Sequence, residues 1–385
     1  VLIIFGGSEI QEDSWALSAH QEQVDLWVSG EGEWFMKTLH SSTLNTASLN
    51  GNEFLMQPAD DLVDAARITE PLAAGYLNVS PDGSIFYELT RGCPYRCSYC
   101  LYSKRAEKVR ERDPDQLYHI LDSRPGISEV YILSPTFSAR PDFDHMLTSL
   151  RRYADRVSFH TELRPEHIDR KRAGNLKRAG FHSLELGVQT FTPEACSRIN
   201  RAADQDRIIA GLVHLREAEI DIKVGMIPGL PGDTYQDFLH SIEVMDRAGL
   251  ADCIEFYPLM VLRGAGVRQD CRKDGLPFMS KPPYFIEGRP GFTGDDILDA
   301  RHEIEHRGGY SSDIRRLPDL TSDPDAVFCK GIRVSAKHLE SMSLAGLLDT
   351  QVFTFWIALD GMDSRALARS LQSVALGRWG LAHAV

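Results

Sequence analysis

The chain has 385 residues, 43% of them hydrophobic, and a formal net charge of −13 at pH 7. That length supports one large domain with smaller pieces around a real core. The acidic balance argues against a protein that grips a nucleic-acid backbone, which needs a basic excess or stripe.

No stretch reaches the ~18–20 apolar residues of a membrane span. The apolar run at residues 1–5 is too short for a signal segment and has no basic flank. Seven cysteines, an odd number, do not read as a disulfide framework; they point to a reducing, cytoplasmic compartment.

In chain order, residues 1–5 are a continuous apolar run of the kind buried in a parallel sheet, ending in Gly6, Gly7 and Ser8. Residues 24–28 predict the next strand, followed by Gly30, Glu31, Gly32 and Glu33, and residues 34–39 predict a helix. Glycines at the carboxyl ends of parallel strands let a ligand approach the backbone closely. They also serve simply to turn a strand into a helix. Residues 46–82 are rich in Ser, Thr, Asn and Pro with little periodicity, and read as a linker out of a first module at 1–45.

From residue 83 to about 300, strand-like runs alternate with helical patterns. The predicted strands are 85–90, 129–133, 156–161, 183–188, 221–227 and 253–259. Their starts lie about 25 to 45 residues apart, the length of a strand–helix unit. Asp113-Pro114 and Thr192-Pro193 each place a cap before a proline, and Asp233 is the expected cap of the helix running through Met245. Six such units imply parallel strands joined by right-handed crossovers. Periodicity alone allows an open barrel or a doubly wound sheet, with ligands at the carboxyl ends of the strands in either case.

The basic stretches 104–112 and 164–178 read as solvated helix faces. Residues 301–385 carry a β-rich run at 351–359 and a helical pattern at 364–376. They read as a substrate-facing or capping module.

After the first of the six strands, Cys93, Cys97 and Cys100 stand at a Cys-x3-Cys-x2-Cys spacing in a loop containing Arg91, Gly92 and Pro94. Such a loop brings three thiolates to one inorganic centre. Iron–sulfur clusters are normally held by four thiolates, so a set of three leaves an iron open for a substrate or cofactor. Structural zinc needs a fourth Cys or His at close spacing, and the next cysteine is Cys196. Cys196, Cys253, Cys271 and Cys329 are dispersed and form no second motif.

The cysteine motif, with Tyr99 before its last member, resembles that of the radical S-adenosylmethionine (SAM) superfamily. The resemblance implies a partial six-unit (β/α) barrel in which Cys93, Cys97 and Cys100 hold a [4Fe–4S] cluster. SAM chelates the open iron through its amino and carboxylate groups, and an electron from an external one-electron reductant cleaves it to a carbon radical. Arg91-Gly92-Cys93-Pro94 and Cys100-Leu101-Tyr102 resemble the branch that carries an N-terminal cobalamin-binding domain. Gly6, Gly7 and the segment through Gly30, Glu31 and Gly32 resemble the last two strand–helix units of that Rossmann-like domain. Its earlier strands would precede Val1, so the chain reads as a piece of a longer protein.

The same resemblance assigns the remaining strand ends. Ser134-Pro135-Thr136 stands where many members have Gly-Gly-Glu, so contact with SAM is expected from the backbone and from Ser134 or Thr136. Glu162 would pair with the SAM ammonium, Gln189 would face its ribose, and Arg201 would grip its carboxylate through a bidentate guanidinium. Gly229, in a Gly-Leu-Pro-Gly turn, would contact adenine through its backbone, a structural turn being an equal reading.

The function implied is reductive cleavage of SAM, with cobalamin-dependent methyl transfer to a small-molecule or peptide-derived substrate. Two alternatives stay open. One is a radical SAM enzyme without cobalamin, performing ring rearrangement, cyclisation or RNA methylthiolation; the other is a non-catalytic cluster- or cobalamin-binding sensor.

Overall fold

The computed structural model describes residues 3–7, 10–11, 22, 24–40, 53–102, 108–201, 204–281, 283–311, 329–335 and 354–360. They fall into two units, residues 1–312 and 313–385.

The first unit opens with a small parallel sheet. Strand β1 (Ile4–Gly6) pairs with β2 (Leu26–Ser29), helix α1 (Gly32–His40) follows, and β3 (Glu53–Met56) pairs on the far side of β2. Trp34 and Phe35 on α1 cover Leu26 and Val28, so the central strand is buried. Two expectations are corrected. The run at the start of the chain is a strand, but as an edge strand it leaves Ile4 and Phe5 exposed, at 36% and 45%. The third strand comes from the stretch expected to be linker: β3 is a half-exposed edge of four residues, too short to show a period amid Ser, Thr and Asn.

The larger sheet begins with β4 (Ser84–Glu88). An antiparallel pair, β5 (Thr90–Arg91) and β6 (Arg110–Glu111), then brackets the cysteine loop. Next come α2 (Pro114–Ser123), β7 (Glu129–Leu133), α3 (Phe143–Leu150), β8 (Ser158–Leu163), α4 (Arg170–Arg178) and β9 (Phe181–Gln189). They are followed by α5 (Pro193–Arg198), α6 (Gln205–Glu217), β10 (Asp221–Met226), α7 (Tyr235–Arg247) and β11 (Ile254–Phe256). Helices α8 (Gly266–Lys273) and α9 (Gly294–His306) and strand β12 (Tyr310–Ser311) complete the unit.

The strand order is β4-β7-β8-β9-β10-β11-β12, and every pairing is parallel. Each strand lies beside its predecessor in the chain. A doubly wound sheet reverses its order at a switch point; this one never does, which leaves the open, barrel-like winding. The sheet has one strand more than the six expected, because the two residues of β12 are too few to leave an apolar pattern.

In the larger sheet, the core lies between sheet and helices. Phe137, Phe159, Phe181, Phe238 and Phe292 are buried there, with Leu184, Leu186 and Val188 of β9. Residues 183, 185, 187 and 189 alternate with those and are only half-buried, so they line the inner face.

Asp113 caps α2 as expected, accepting from the Asp115 amide with Pro114 in the first turn. Asp233 does not cap α7. Thr234 does, in a capping box with Asp237, while the buried Asp233 accepts a 2.8 Å hydrogen bond from the Thr192 hydroxyl. Thr192 makes no side-chain cap to α5. The basic stretches are not wholly solvated either. Arg112 is buried and pairs with Glu70 at 3.0 Å, and Arg164 is buried over the Tyr95 ring.

In the second unit, β13 (Cys329–Ser335) and β14 (Thr354–Asp360) pair in parallel. The helix expected at 364–376 lies outside the described residues.

Candidate active site

The cysteine loop starts at the carboxyl end of the first strand of the larger sheet, where Gly92 adopts φ +89°. It is stapled from below. The Ser98 amide donates to the Ile199 carbonyl at 2.8 Å, Asn200 Nδ2 to the Arg96 carbonyl at 3.0 Å, and the Val267 amide to the Ser98 carbonyl at 2.9 Å. Asn200 holds φ +54°, a left-handed conformation that Asn tolerates better than most residues. The end of α5 and the start of α8 therefore fix the loop before any cofactor arrives.

Cys97 is buried, Cys93 and Cys100 are half-buried, and all three thiols are free. They line one cavity of about 1340 Å³ over the strand ends, larger than the ~300–1,000 Å³ of usual ligand clefts. Cys93 Sγ lies 3.7 Å from Thr136 Oγ1. Among the described residues no three His, Cys, Asp or Glu side chains gather closely enough to hold a single metal ion. The three thiols share that cavity, which has room for a polynuclear cluster.

Of the residues assigned to SAM, Tyr99, Thr136, Glu162, Gln189 and Arg201 line this cavity with the cysteines. Burial, and then the Cys97 thiol, pushes the Tyr99 phenol up. Arg201 is buried; one of its terminal nitrogens donates to the Gly187 carbonyl and lies 3.9 Å from Glu166, while its Nε has no partner. A buried guanidinium with a spare donor suits a carboxylate ligand. Gln189 ends its strand at φ +76°, a strained conformation for a non-glycine residue. Its amide folds back over Gly187, where a Cβ would lie 2.6 Å from Gln189 Nε2.

Burial, reinforced by the neighbouring Glu185 carboxylate, pushes Glu162 up. Ser134 and Gly229 are not among the cavity-lining residues. Ser134 is buried beneath it with an unpartnered hydroxyl, and Gly229 sits under Ile286 at φ +82°, a turn position.

The inner face also carries polar residues to which no role was assigned from the sequence: Tyr131, His160, Glu185, Lys223, Glu255 and Tyr257. They occupy alternating positions on β7, β8, β9, β10 and the end of β11, with Tyr131 in register with His160 and Glu185 with Lys223. A polar residue at every second position of an otherwise apolar strand was the available signal. Glu185 is held low chiefly by His160, whose Nε2 lies 3.5 Å away. Burial and then Glu185 push the Tyr131 phenol up.

Across the cavity stand the loops of the small sheet. Gly30 and Glu31 line it; Gly6, Gly7 and Gly32 do not. Glu31 accepts from Arg91, Arg110, the Val63 amide and Gln57. Burial works to raise its pKa, but those hydrogen bonds outweigh it and hold the carboxyl low. Gly30 has φ +130°, and a Cβ there would lie 2.5 Å from the Gln57 Cβ. Glu31 thus ties the small sheet to the cysteine strand through Arg91 and Arg110.

The fold and site together define a parallel open barrel with three cysteines gathered in one cavity at its strand ends. Residues 87–245 match the family model described as Radical SAM superfamily, and this chain contains a radical SAM domain. The cofactors of that family are a [4Fe–4S] cluster and SAM.

Similarity to curated proteins is distant. Heme chaperone HemW of Bacillus subtilis (strain 168) is 24% identical over 167 residues, 39% of this chain and 44% of that protein. The tRNA-2-methylthio-N(6)-dimethylallyladenosine synthase of Trichlorobacter lovleyi is 25% identical over 189 residues, 45% of this chain and 43% of that one. The chain thus spans less than half the length of these two relatives. Among solved structures, the cobalamin-dependent S-adenosylmethionine radical enzyme OxsB, with aqua-cobalamin and SAM bound, shares the fold. Its TM-score is 0.52 at 12% identity, covering 78% of this chain and 57% of that one.

Proposed function

We propose that this radical SAM enzyme transfers a methyl group from cobalamin to a small-molecule or peptide-derived substrate. The observation that carries the reading is the shared cavity. The carboxyl ends of a small parallel sheet and of the barrel face the same space, with Gly30 and Glu31 on one wall and the three cysteines on the other. A small parallel sheet beside the barrel is what the cobalamin branch leads one to expect, and the fold shared with OxsB supports it. With cluster and SAM in place, the site would supply a carbon radical able to take hydrogen from an unactivated position, and cobalamin would supply the methyl group.

The chain's own residues position and exclude. Cys93, Cys97 and Cys100 would hold the cluster on a pinned loop, Arg201 would orient the SAM carboxylate through its spare Nε, and Glu162 would face the SAM ammonium. Gly30 and Glu31 would form the rim next to the corrin, while Glu31 is already engaged by Arg91 and Arg110. RNA methylthiolation, the activity named for one relative, fits less well: the net charge is −13, and the described cysteines outside the motif, Cys196, Cys253 and Cys271, are buried singly.

The test is anaerobic reconstitution with iron and sulfide, then SAM and dithionite, assaying 5′-deoxyadenosine and methionine with and without methylcobalamin. Deoxyadenosine that requires all three cysteines, together with retained corrinoid absorbance, is the expected result. Cluster assembly without SAM cleavage would favour a sensor, and SAM cleavage without corrinoid retention would remove cobalamin from the reading.

A further inference from the structure

Thr136 brings a hydroxyl to the cysteine loop from another strand end. It follows β7 and opens the tight turn Phe137–Ala139, yet its side chain makes no cap to that turn. The turn is held firmly in place. Phe137 is buried and packs on Phe143 and Phe181 with ring centroids 5.2 and 5.6 Å apart, and the Ser138 hydroxyl lies 2.9 Å from His167 Nδ1. Thr136 is itself buried, and it lines the cavity with its Oγ1 3.7 Å from Cys93 Sγ.

The same hydroxyl lies 2.6 Å from the Pro135 carbonyl, so its single proton has two acceptors. The carbonyl is neutral, whereas a cysteine that ligates iron is a thiolate. Hydrogen bonds to an ionised acceptor are the stronger ones, so loading of the site turns the hydroxyl toward the sulfur. The other two sulfurs are met from within the loop, Cys97 by the Tyr99 phenol and Cys100 by the Tyr102 amide. Cys93 is met by a side chain 43 residues away.

We propose that the Thr136 hydroxyl donates to the Cys93 sulfur and thereby makes the cluster easier to reduce. This rests on the reading of Cys93, Cys97 and Cys100 as its ligands. Hydrogen bonds to the sulfurs and exposure to solvent are among the factors that set the potential of an iron–sulfur centre. Reduction takes one electron from the external reductant and adds one negative charge to the centre. A donor aimed at a ligand sulfur stabilises that more negative state, and in a buried position water screens it little. Thr136 acts through Cys93 rather than on SAM, which leaves the contact expected between this strand end and SAM to the backbone.

The test is a redox titration of the anaerobically reconstituted full chain, without SAM, with the reduced cluster counted by electron paramagnetic resonance. Thr136→Val keeps the branched shape and removes the hydroxyl. Its ratio of reduced to oxidised cluster should fall about tenfold at any fixed potential, the scale of one charge-assisted hydrogen bond, which for one electron is a midpoint about 59 mV more negative. Thr136→Ser should restore most of the wild-type midpoint, and Thr136→Ala repeats the measurement should the valine variant fail to take up iron. SAM affinity, measured separately by calorimetry, should stay at the wild-type level in Thr136→Val. A midpoint that is unmoved or less negative in the loaded variants overturns the proposal. So does weaker SAM binding with an unmoved midpoint, which would place the hydroxyl on SAM instead. Iron and sulfide content of the wild type reports on the underlying reading. A wild type that assembles its cluster while the midpoints agree fails Thr136 alone; one that assembles none removes the cysteine assignment and the proposal with it.

Discussion

The two walls of the cavity are built on opposite principles. On the barrel side, functional groups are left short of partners: Arg201 Nε and Ser134 Oγ have none, and none of the three thiols is in a disulfide. On the small-sheet side the carboxylates are satisfied from within. Glu31, Glu33 and Glu88 converge on Arg91 at 3.1, 2.8 and 2.7 Å, and Arg110 adds a 2.8 Å contact to Glu31. Unpaired buried groups cost stability, and a bound ligand would complete those on the cavity wall. The barrel wall is poised to bind, and the other wall is fastened in place. A residue can line a cavity for either reason, and its hydrogen-bond partners tell which.

The comparison breaks most completely at the cysteines. Cys97→Ala should lose the brown colour and the four-iron complement after reconstitution, and SAM cleavage should fall to background. A full iron count in that variant would remove the cluster assignment. Next in size is Arg201→Leu, expected to weaken SAM binding about ten- to a hundredfold by titration, from the loss of a charge-assisted contact. Arg201→Lys should recover only part, because an ammonium lacks the planar fork.

On the fastened wall the effect moves from binding to stability. Arg91→Ala should cost on the order of 1–2 kcal/mol, the scale of a partly buried ion-pair network rather than of one surface pair. Hydrogen exchange should quicken in β2 and β3 while the larger sheet is unchanged. Glu31 and Glu33 both have pKa values lowered from 4.5, so their contribution is present above the ordinary carboxylate range and is lost as pH falls through the lowered values. Exchange in the small sheet should therefore accelerate on acidification in the wild type. The Arg91→Ala protein should show much less change.

The smallest effect is at Asp233, which burial raises from 3.8 to about 6 despite hydrogen bonds from Thr192 and Thr190. A raised carboxyl gives stability that is fully present below the unfolded value and lost as pH rises through about 6. Asp233→Asn should thus melt higher than the wild type at neutral pH, and the gain should shrink to nothing near pH 4. An equal difference at both ends of that range would mean that ionisation at Asp233 has no part in it.

Much of the barrel was legible because its signals are local. Five of its six expected strands lie within two or three residues of their observed ends, and the sixth, 253–259, shortens to Ile254–Phe256. Tight turns and a proline at the first helical position mark the boundaries between units. The exceptions share one cause. Thr234 rather than Asp233 caps α7 because Asp233 is claimed by Thr192 from another element, and Arg112 leaves the surface because Glu70 meets it. A partner distant in the chain leaves no mark on the residues beside it.

The same division separates what the sequence determined about this protein from what only the tertiary structure decided. A three-cysteine motif and a train of strand–helix units are properties of neighbouring residues, and they sufficed for the fold and for the family resemblance. Two things needed the folded chain: the uninterrupted winding of the sheet, and the fastening of Glu31 to Arg91 and Arg110. Strand order and side-chain pairing depend on which distant segments become neighbours, and the hydrophobic pattern that drives collapse is blind to the choice among polar partners.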